Sequence, residues 1–464
     1  MKATVAPPSP RAVLPRADAS RTRHARDALE LLFGPAGTRA FCVRLWDGTV
    51  EGPPDSRFTL VLRQPDVLRR VLLPPSERRL AEAFARNDFD IEGDLEAAVR
   101  LGDLLAERAV SWRTMARVVP HLLALPRSPR AGRGRLRVAD GLSDFGTRHA
   151  EPRDAAAIRF HYDLGDDFYA LWLDRRMVYS CAYFATGAET LDDAQEAKLD
   201  LTCRKLRVRP GERLLDIGCG WGGLVLHAVQ RYGVEAVGVT LSHKQAAFAH
   251  RAIAEAGLAG RAEVCIRDYR RLREFGRFDK IASVGMLEHV RGLQLESYFA
   301  TAFDLLRPGG VFLTHGIVAL DDARRRGVRE RVRDRLWRRG EFIERYIFPD
   351  GEVVQLAELV RAAELAGFET RDVESLREHY ARTLRHWSSR LEAHHAEAAG
   401  MVGEAAYRVW RLYLAAAARG FATGRLAVVQ LLLAKPDANG RHVVPLTRSD
   451  LYGETRHGGP GAIT

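Results

Sequence analysis

The chain has 464 residues, 46% of them apolar, with 71 basic and 60 acidic side chains and a formal net charge of +11. That length exceeds one compact domain and fits about two or three, and the charge points to an anionic partner, nucleic acid or membrane surface, without choosing between them. The five cysteines, Cys42, Cys181, Cys203, Cys219 and Cys265, form no C-x-x-C pair, which disfavours a disulfide framework or zinc site and fits a reducing cytoplasm.

Residues 1–24 are rich in Pro, Ala and Arg and read as disordered. Pro7, Pro8 and Pro10 stand where a signal would need its apolar core, so no secretory signal is expected. Residues 25–125 read as a small mixed α/β domain. "FCVRLWDGTVEG" and "FTLVLRQPDVLRRVLL" have the look of short strands with turns at Asp47-Gly48 and Pro53-Pro54. "SERRLAEAFARNDFDIEGDLEAAVRLGDLL" predicts helices broken near Asn87 and Gly93. Residues 126–154, polar and rich in Gly, Pro and Arg, read as a linker.

From residue 155 to 440 strands and helices alternate: "RLLDIGCG", "VEAVGVTL", "AEVCIRD", "FDKIASVG" and "GGVFLTHGIV" predict strands, with helical stretches between the first of them. Such alternation implies right-handed βαβ units and a doubly wound, Rossmann-like parallel sheet. Residues 441–464 read as a flexible tail. The longest apolar stretches, such as 426–434, are too short to span a bilayer, so any meeting with lipid is expected at the surface.

The first strand of this region runs into a glycine-rich turn, "LDIGCGWGGL", where Gly218, Gly220 and Gly223 satisfy G-x-G-x-x-G. Glycines let backbone approach a ligand, and the following helix offers free N–H groups. Taken alone the pattern fits NAD, FAD or a purely structural turn. Two details point away from a dinucleotide. Asp216 lies two residues before the first glycine, and the second strand ends "GVTLS", with Thr240 and Ser242 where a dinucleotide site wants a ribose-binding acid. "LDIGCGWG" resembles motif I of S-adenosylmethionine methyltransferases.

Upstream lies an aromatic-rich block, "RFHYDLGDDFYALWLDRRMVYSCAYF", with Phe160, Tyr162, Leu164, Phe168, Leu171 and Trp172. It reads either as a helix packed on the sheet or as a lid over an apolar acyl pocket. Taken with "LDIGCGWGG", "GVTLS", "SVGMLEHV", "FLTHGI" and "YIFPDG", it resembles the cyclopropane-fatty-acyl-phospholipid synthases and their mycolic-acid relatives over roughly residues 155–435. "FDIEGDLEAAV" carries a looser resemblance to the extra N-terminal domain of the longer phospholipid enzymes.

The resemblance implies transfer of a methylene unit from S-adenosylmethionine to the cis double bond of an unsaturated phospholipid acyl chain, giving a cyclopropane. It implies cofactor contacts from Tyr179, Ser180, Asp216, Gly218, Gly220, Thr240, Gln245, Asp268 and Tyr269, with Asp268 receiving the adenine amine and Tyr269 covering the ring. It further implies a bicarbonate general base cradled by Cys181, Glu288, His315, Ile317 and Tyr380, with backbone N–H groups from Cys181 and Ile317. No metal is implied. Some relatives carry a cysteine that aligns with Ala417. A homodimer organised by the N-terminal domain, on the inner face of the membrane, is the expected setting. Read without the resemblance, Glu288-His289 would be a solvated helix start.

"ARRRGVRERVRDRLWRRGEF" places Val328, Val332 and Leu336 on one stripe of a basic helix, either a solvated face or a contact for anionic headgroups. Three alternatives stand beside the cyclopropane reading. The same motifs serve a methylene- or methyl-branched product. A nucleic-acid amino-methyltransferase would carry D/N/S-P-P-Y/F/W where this chain reads "SVGMLEH", so nucleic acid is not the expected partner. A catalytically dead membrane module is disfavoured by the intact Glu288, His315 and Tyr380.

Overall fold

The computed structural model describes residues 16–109, 111–127, 136–137, 142–147, 150–162, 164–290, 292–320, 327, 331, 334–335, 337 and 340–452. Val328, Val332, Leu336 and the arginines at 324–326 lie outside them, as do 14 of the 29 residues of the expected linker. The chain forms two compact units. One comprises residues 1–136 and 327–342, the other residues 137–326 and 343–464.

The first unit holds a four-stranded sheet in the order β2-β1-β3-β4, built from β1 (Cys42–Arg44), β2 (Val50–Glu51), β3 (Phe58–Leu62) and β4 (Phe89–Gly93). Helices that accompany it are α1 (Arg16–Phe33), α2 (Val67–Leu72), α3 (Glu77–Ala85), α4 (Leu95–Ala109) and α5 (Trp112–Ala124). Three expectations are corrected here. The stretch read as disordered is helical from Arg16. "DVLRRVLL" is helix, not strand, because Val67, Leu68, Val71 and Leu72 are buried at helical spacing. The break between Asn87 and Gly93 is strand β4, with Phe89 and Ile91 turned inward and Leu60 facing Ile91 across the antiparallel pair.

The second unit carries the doubly wound sheet. β5 (Arg213–Ile217), β6 (Glu235–Thr240), β7 (Ala262–Ile266), β8 (Phe278–Val284) and β9 (Leu306–Ala319) run parallel in the order β7-β6-β5-β8-β9. β12 (Leu426–Ala434) pairs antiparallel to β9, and β11 (Glu369–Ser375) antiparallel to β12, so the sheet is mixed at this edge. β10 (Val354–Gln355) is a short addition beside β9.

Alternate residues of each strand enter two cores. Leu215, Ile217, Ile281 and Phe312 face one, and Leu214, Ala282, Leu313 and Leu432 face the other. The second core lies against α8 (Leu191–Leu206), α9 (Gly223–Tyr232) and α10 (His243–Glu255). Ahead of α8 in the chain come α6 (Glu151–Tyr162), which starts inside the expected linker, and α7 (Asp166–Ala170). On the first face lies α11 (Leu295–Leu305).

Within residues 441–452, the described part of the stretch expected to be a flexible tail, the chain is anchored instead. Leu451 is buried, Arg448 pairs with Asp372, and Arg207 holds Asp450 through two hydrogen bonds of 3.0 and 3.3 Å.

Candidate active site

In a doubly wound sheet, ligands sit beyond the carboxyl ends of the strands where the strand order reverses. Here the reversal lies between β5 and β8, and a cleft of about 950 Å³ opens there. It is lined by the turn after β5, the ends of β6 and β8, Arg267 and Tyr269 beyond β7, and Met177–Ser180. Gly220 has φ +56°, and a Cβ built on it would meet nothing within 4 Å. The turn thus leaves its ligand side open.

Eight of the nine expected cofactor residues line this cleft: Tyr179, Ser180, Asp216, Gly218, Gly220, Thr240, Gln245 and Tyr269. Thr240 Oγ1 donates to Gln245 Oε1 at 2.8 Å, so the two are fixed as a pair. The ninth, Asp268, is not among the lining residues. Its Oδ1 accepts from Arg270 N at 2.9 Å and Arg270 Nε at 2.8 Å, and its Oδ2 from Arg270 Nη2 at 2.6 Å. A carboxylate two residues before an arginine in a tight turn is captured locally, as a capping group.

Sequence reasoning missed Lys198, which also lines the cleft. It is buried on α8 and donates from Nζ to Ser180 Oγ at 2.9 Å. Burial lowers its pKa to about 8. The same helix supplies Gln195, whose Nε2 donates to the carbonyls of Val178 and Ser180 at 3.2 and 2.8 Å. The Tyr179-Ser180-Cys181 segment is therefore held by two polar side chains from inside a helix. Asp216 is buried beside them. Desolvation raises its pKa to about 7, against the opposing pull of the Lys198 ammonium, and its Oδ1 has no partner among the described residues.

A second chamber of about 400 Å³ adjoins the cleft, with Tyr162, Tyr179, Ser180, Gly285 and His289 common to both linings. All five expected cradle residues line it: Cys181, Glu288, His315, Ile317 and Tyr380. They come from four places. Cys181 precedes α8, Glu288 lies in a turn of 3₁₀ helix after β8, and His315 and Ile317 are on β9. Tyr380 is on the helix Arg377–Ala393. That helix is tied to the Cys181 segment, because Thr383 Oγ1 accepts from Ala182 N at 3.0 Å and His379 Nδ1 from Phe184 N at 3.0 Å.

Glu288 is not a solvated helix start. Its Oε1 accepts the amide of Ile317 at 2.8 Å, and its Oε2 is closed off from solvent with no partner among the described residues. Desolvation raises its pKa to about 7. The Ile317 N–H that the resemblance assigned to the anion donates here to the Glu288 carboxylate. Burial holds the His315 imidazole neutral and the Tyr380 phenol protonated. His315 Nδ1 lies 3.2 Å from Gln430 Nε2, which leaves Nε2 as the N–H of the ring, also without a partner among the described residues. The Cys181 thiol donates to the Ala182 and Leu376 carbonyls, and burial pushes its pKa up, so it stays a thiol. The chamber thus sets a hydrogen-bond acceptor, Glu288 Oε2, beside a donor, His315 Nε2–H. A small oxyanion carrying one hydroxyl needs that pairing.

The aromatic block divides between its two readings. Tyr162 lines both chambers. Phe168 and Trp172 are fully buried against Trp410, with ring centroids 5.7 and 5.6 Å apart, and serve as packing. Phe348, from "YIFPDG", enters the small chamber, and its loop is clamped by Arg153, which grips Asp350 at 2.5 and 3.1 Å.

Residues 149–431 match the family described as mycolic acid cyclopropane synthetase, well over half of the chain. The chain belongs to that family. It is 39% identical over 412 residues to a "Probable fatty acid methyltransferase" of Pseudomonas putida, covering 88% of this chain and 95% of the relative. It is 38% identical over 280 residues to the cyclopropane mycolic acid synthase MmaA2 of Mycobacterium tuberculosis, covering 60% of this chain and 96% of the relative. Among solved structures, the mycolic acid cyclopropane synthase CmaA1 complexed with SAH and CTAB is similar, with a TM-score of 0.57 and 36% identity over 61% of this chain and 98% of that one. The family's synthase fold is therefore the second unit, and the longer Pseudomonas relative extends the likeness into the first. No helix among the described residues is long and apolar enough to cross a membrane.

Proposed function

We propose that this enzyme transfers a one-carbon unit from S-adenosylmethionine to the cis double bond of an unsaturated phospholipid acyl chain and closes it to a cyclopropane, with bicarbonate as general base. The observation that carries the reading is that Glu288 Oε2 and His315 Nε2, each buried with no partner among the described residues, line one chamber that shares its wall with the glycine-turn cleft. Family membership and the synthase and methyltransferase names of its relatives support the reaction class.

The residues present fit both groups. Asp216, with its free Oδ1, Lys198-supported Ser180, Gly220 and the Thr240–Gln245 pair would hold the sulfonium cofactor. When bound, that cofactor supplies an electrophilic methyl and the anion supplies a basic oxygen. The protein's own part is orientation and exclusion of water. Glu288 accepts the anion's hydroxyl hydrogen. His315 and Tyr380 donate to its oxygens, and Ile317 acts one step back by fixing Glu288. Tyr162, Tyr179, Phe348 and Tyr380 line the chamber with aromatic faces, which favour a developing cation on the chain by cation–π attraction.

A second reading, a methyl- or methylene-branched product, is favoured by the name of the relative that spans nearly the whole chain. Mild catalytic hydrogenation of the purified lipid product decides between them. A cyclopropane survives conditions that saturate an alkene, whereas a methylene takes up two hydrogens and a methyl branch already carries them. Turnover that is undiminished in carbonate-free buffer would remove bicarbonate from the mechanism.

A further inference from the structure

We infer that the first unit carries a transition-metal site, of the kind that takes Zn²⁺, formed by His24, Asp27 and His121. His24 and Asp27 lie three residues apart on α1, on one helical face, and His121 is in the last turn of α5, which packs against it. The sequence analysis assigned none of the three to any role.

His24 Nδ1 stands 3.3 Å from His121 Nδ1, and His121 Nδ1 stands 3.4 Å from Asp27 Oδ2. One ligand atom from each residue lies within 4.8 Å of the other two. Two ring nitrogens and a carboxylate oxygen are thus gathered within reach of a single ion. As hydrogen bonds these contacts are long, beyond the usual range of about 2.7–3.2 Å. As the edges of a coordination polyhedron they fit, because zinc–ligand bonds of about 2.0–2.1 Å set tetrahedral donor atoms about 3.3–3.4 Å apart. Imidazole and carboxylate together suit Zn²⁺, Ni²⁺ and Cu²⁺ rather than Mg²⁺. All three residues are part-exposed, with 28% of the His121 side chain and 42% of Asp27 accessible. The site is open to an arriving ion and to water as the fourth ligand.

The consequence is mechanical. α1 is joined to the rest of the unit at its far side by Thr22, which donates to Asp47 at 2.8 Å, and by the Arg26–Glu51 pair. A metal bridging α1 to α5 would cross-link these two helices and stabilise the unit by mass action.

The test uses the full chain, stripped with a chelator and then titrated with Zn²⁺, with Mg²⁺ as a control. We expect one Zn²⁺ bound per chain, a rise in the melting temperature with Zn²⁺ but not Mg²⁺, and, with Co²⁺ in its place, visible absorption bands of a tetrahedral site. His121→Ala should abolish all three. Asp27→Asn keeps the shape of the side chain, and should weaken Zn²⁺ binding at least tenfold with the chelated protein's melting temperature unchanged. Saturable binding at the same stoichiometry and affinity in both variants, or none in the wild type up to millimolar Zn²⁺, would overturn the assignment.

Discussion

Gln430 on β12 faces His315 on β9 as its direct cross-strand partner, and the 3.2 Å contact between Gln430 Nε2 and His315 Nδ1 sets which ring nitrogen carries the proton. Gln430 is a positioning residue: it reaches the reacting groups only through His315. Gln430→Leu keeps the volume and removes the donor. We expect kcat to fall by about tenfold or more, ~1.4 kcal/mol of barrier, with cofactor affinity unchanged. The ¹⁵N shifts of His315 should report loss of the single tautomer, which a merely structural substitution would not produce.

Glu288 gives a stability prediction with a definite sign. Its pKa in the fold is raised to about 7 from an ordinary value of 4.5. A raised acid binds its proton more tightly in the folded state, so its contribution is fully present below about pH 4.5 and is lost as pH rises through about 7. Glu288→Gln should therefore be more stable than the wild type at pH 8, by roughly 3 kcal/mol at most, and about equally stable at pH 4.5, while turnover collapses. Scanning calorimetry at the two pH values checks it, and a variant less stable at pH 8 would contradict the burial of this charge.

Lys198 is the one cation buried in the cofactor cleft among the described residues. Lys198→Met frees Ser180 Oγ and leaves Asp216 without its favourable neighbour. We expect S-adenosylmethionine affinity to fall by about tenfold, ~1.4 kcal/mol, with the loss greatest just above pH 7, where Asp216 is ionised in the wild type but still protonated in the variant. Calorimetric titration between pH 6 and 9 measures this directly.

Gly220→Val fills the open side of the turn and asks a β-branched residue to adopt φ +56°. The strain costs about 1–2 kcal/mol, small beside the stability of a unit this size. Cofactor binding should be lost while circular dichroism stays that of the wild type.

The contrast between residues that could be read and residues that could not has a physical basis. Asp216, Gly218 and Gly220 sit at the end of β5, Glu288 just beyond β8 and His315 within β9, and each is a polar or glycine residue that breaks an apolar run and so stands out. Lys198 and Gln195 lie within "LDDAQEAKLDLTCRKL", a helix charged along its whole length, so nothing marks the two that turn inward. Gln430 is a single polar residue in an apolar strand, a signal that was present and not used. Asp268 had the right position for a ligand contact but a stronger partner two residues away. Ile317 shows the same competition at the backbone. The helix at Val67–Leu72 was hidden because β-branched and leucine residues at i, i+1, i+4 and i+5 also look like a strand over so short a length.

Residues 327–342 interrupt the synthase fold after β9 and are counted with the N-terminal unit, and the chain then returns at Ile343. Within that loan Trp337 and Phe342 are buried. The two units are consequently not beads on a string that a protease or a genetic deletion could part at one point. Severing the chain near residue 136 leaves the excursion in place. A polypeptide started there would keep residues 327–342 but lack the N-terminal residues with which they form one compact unit. Excising either unit cleanly requires two cuts, and the catalytic half must then be closed by a new loop between residues 326 and 343.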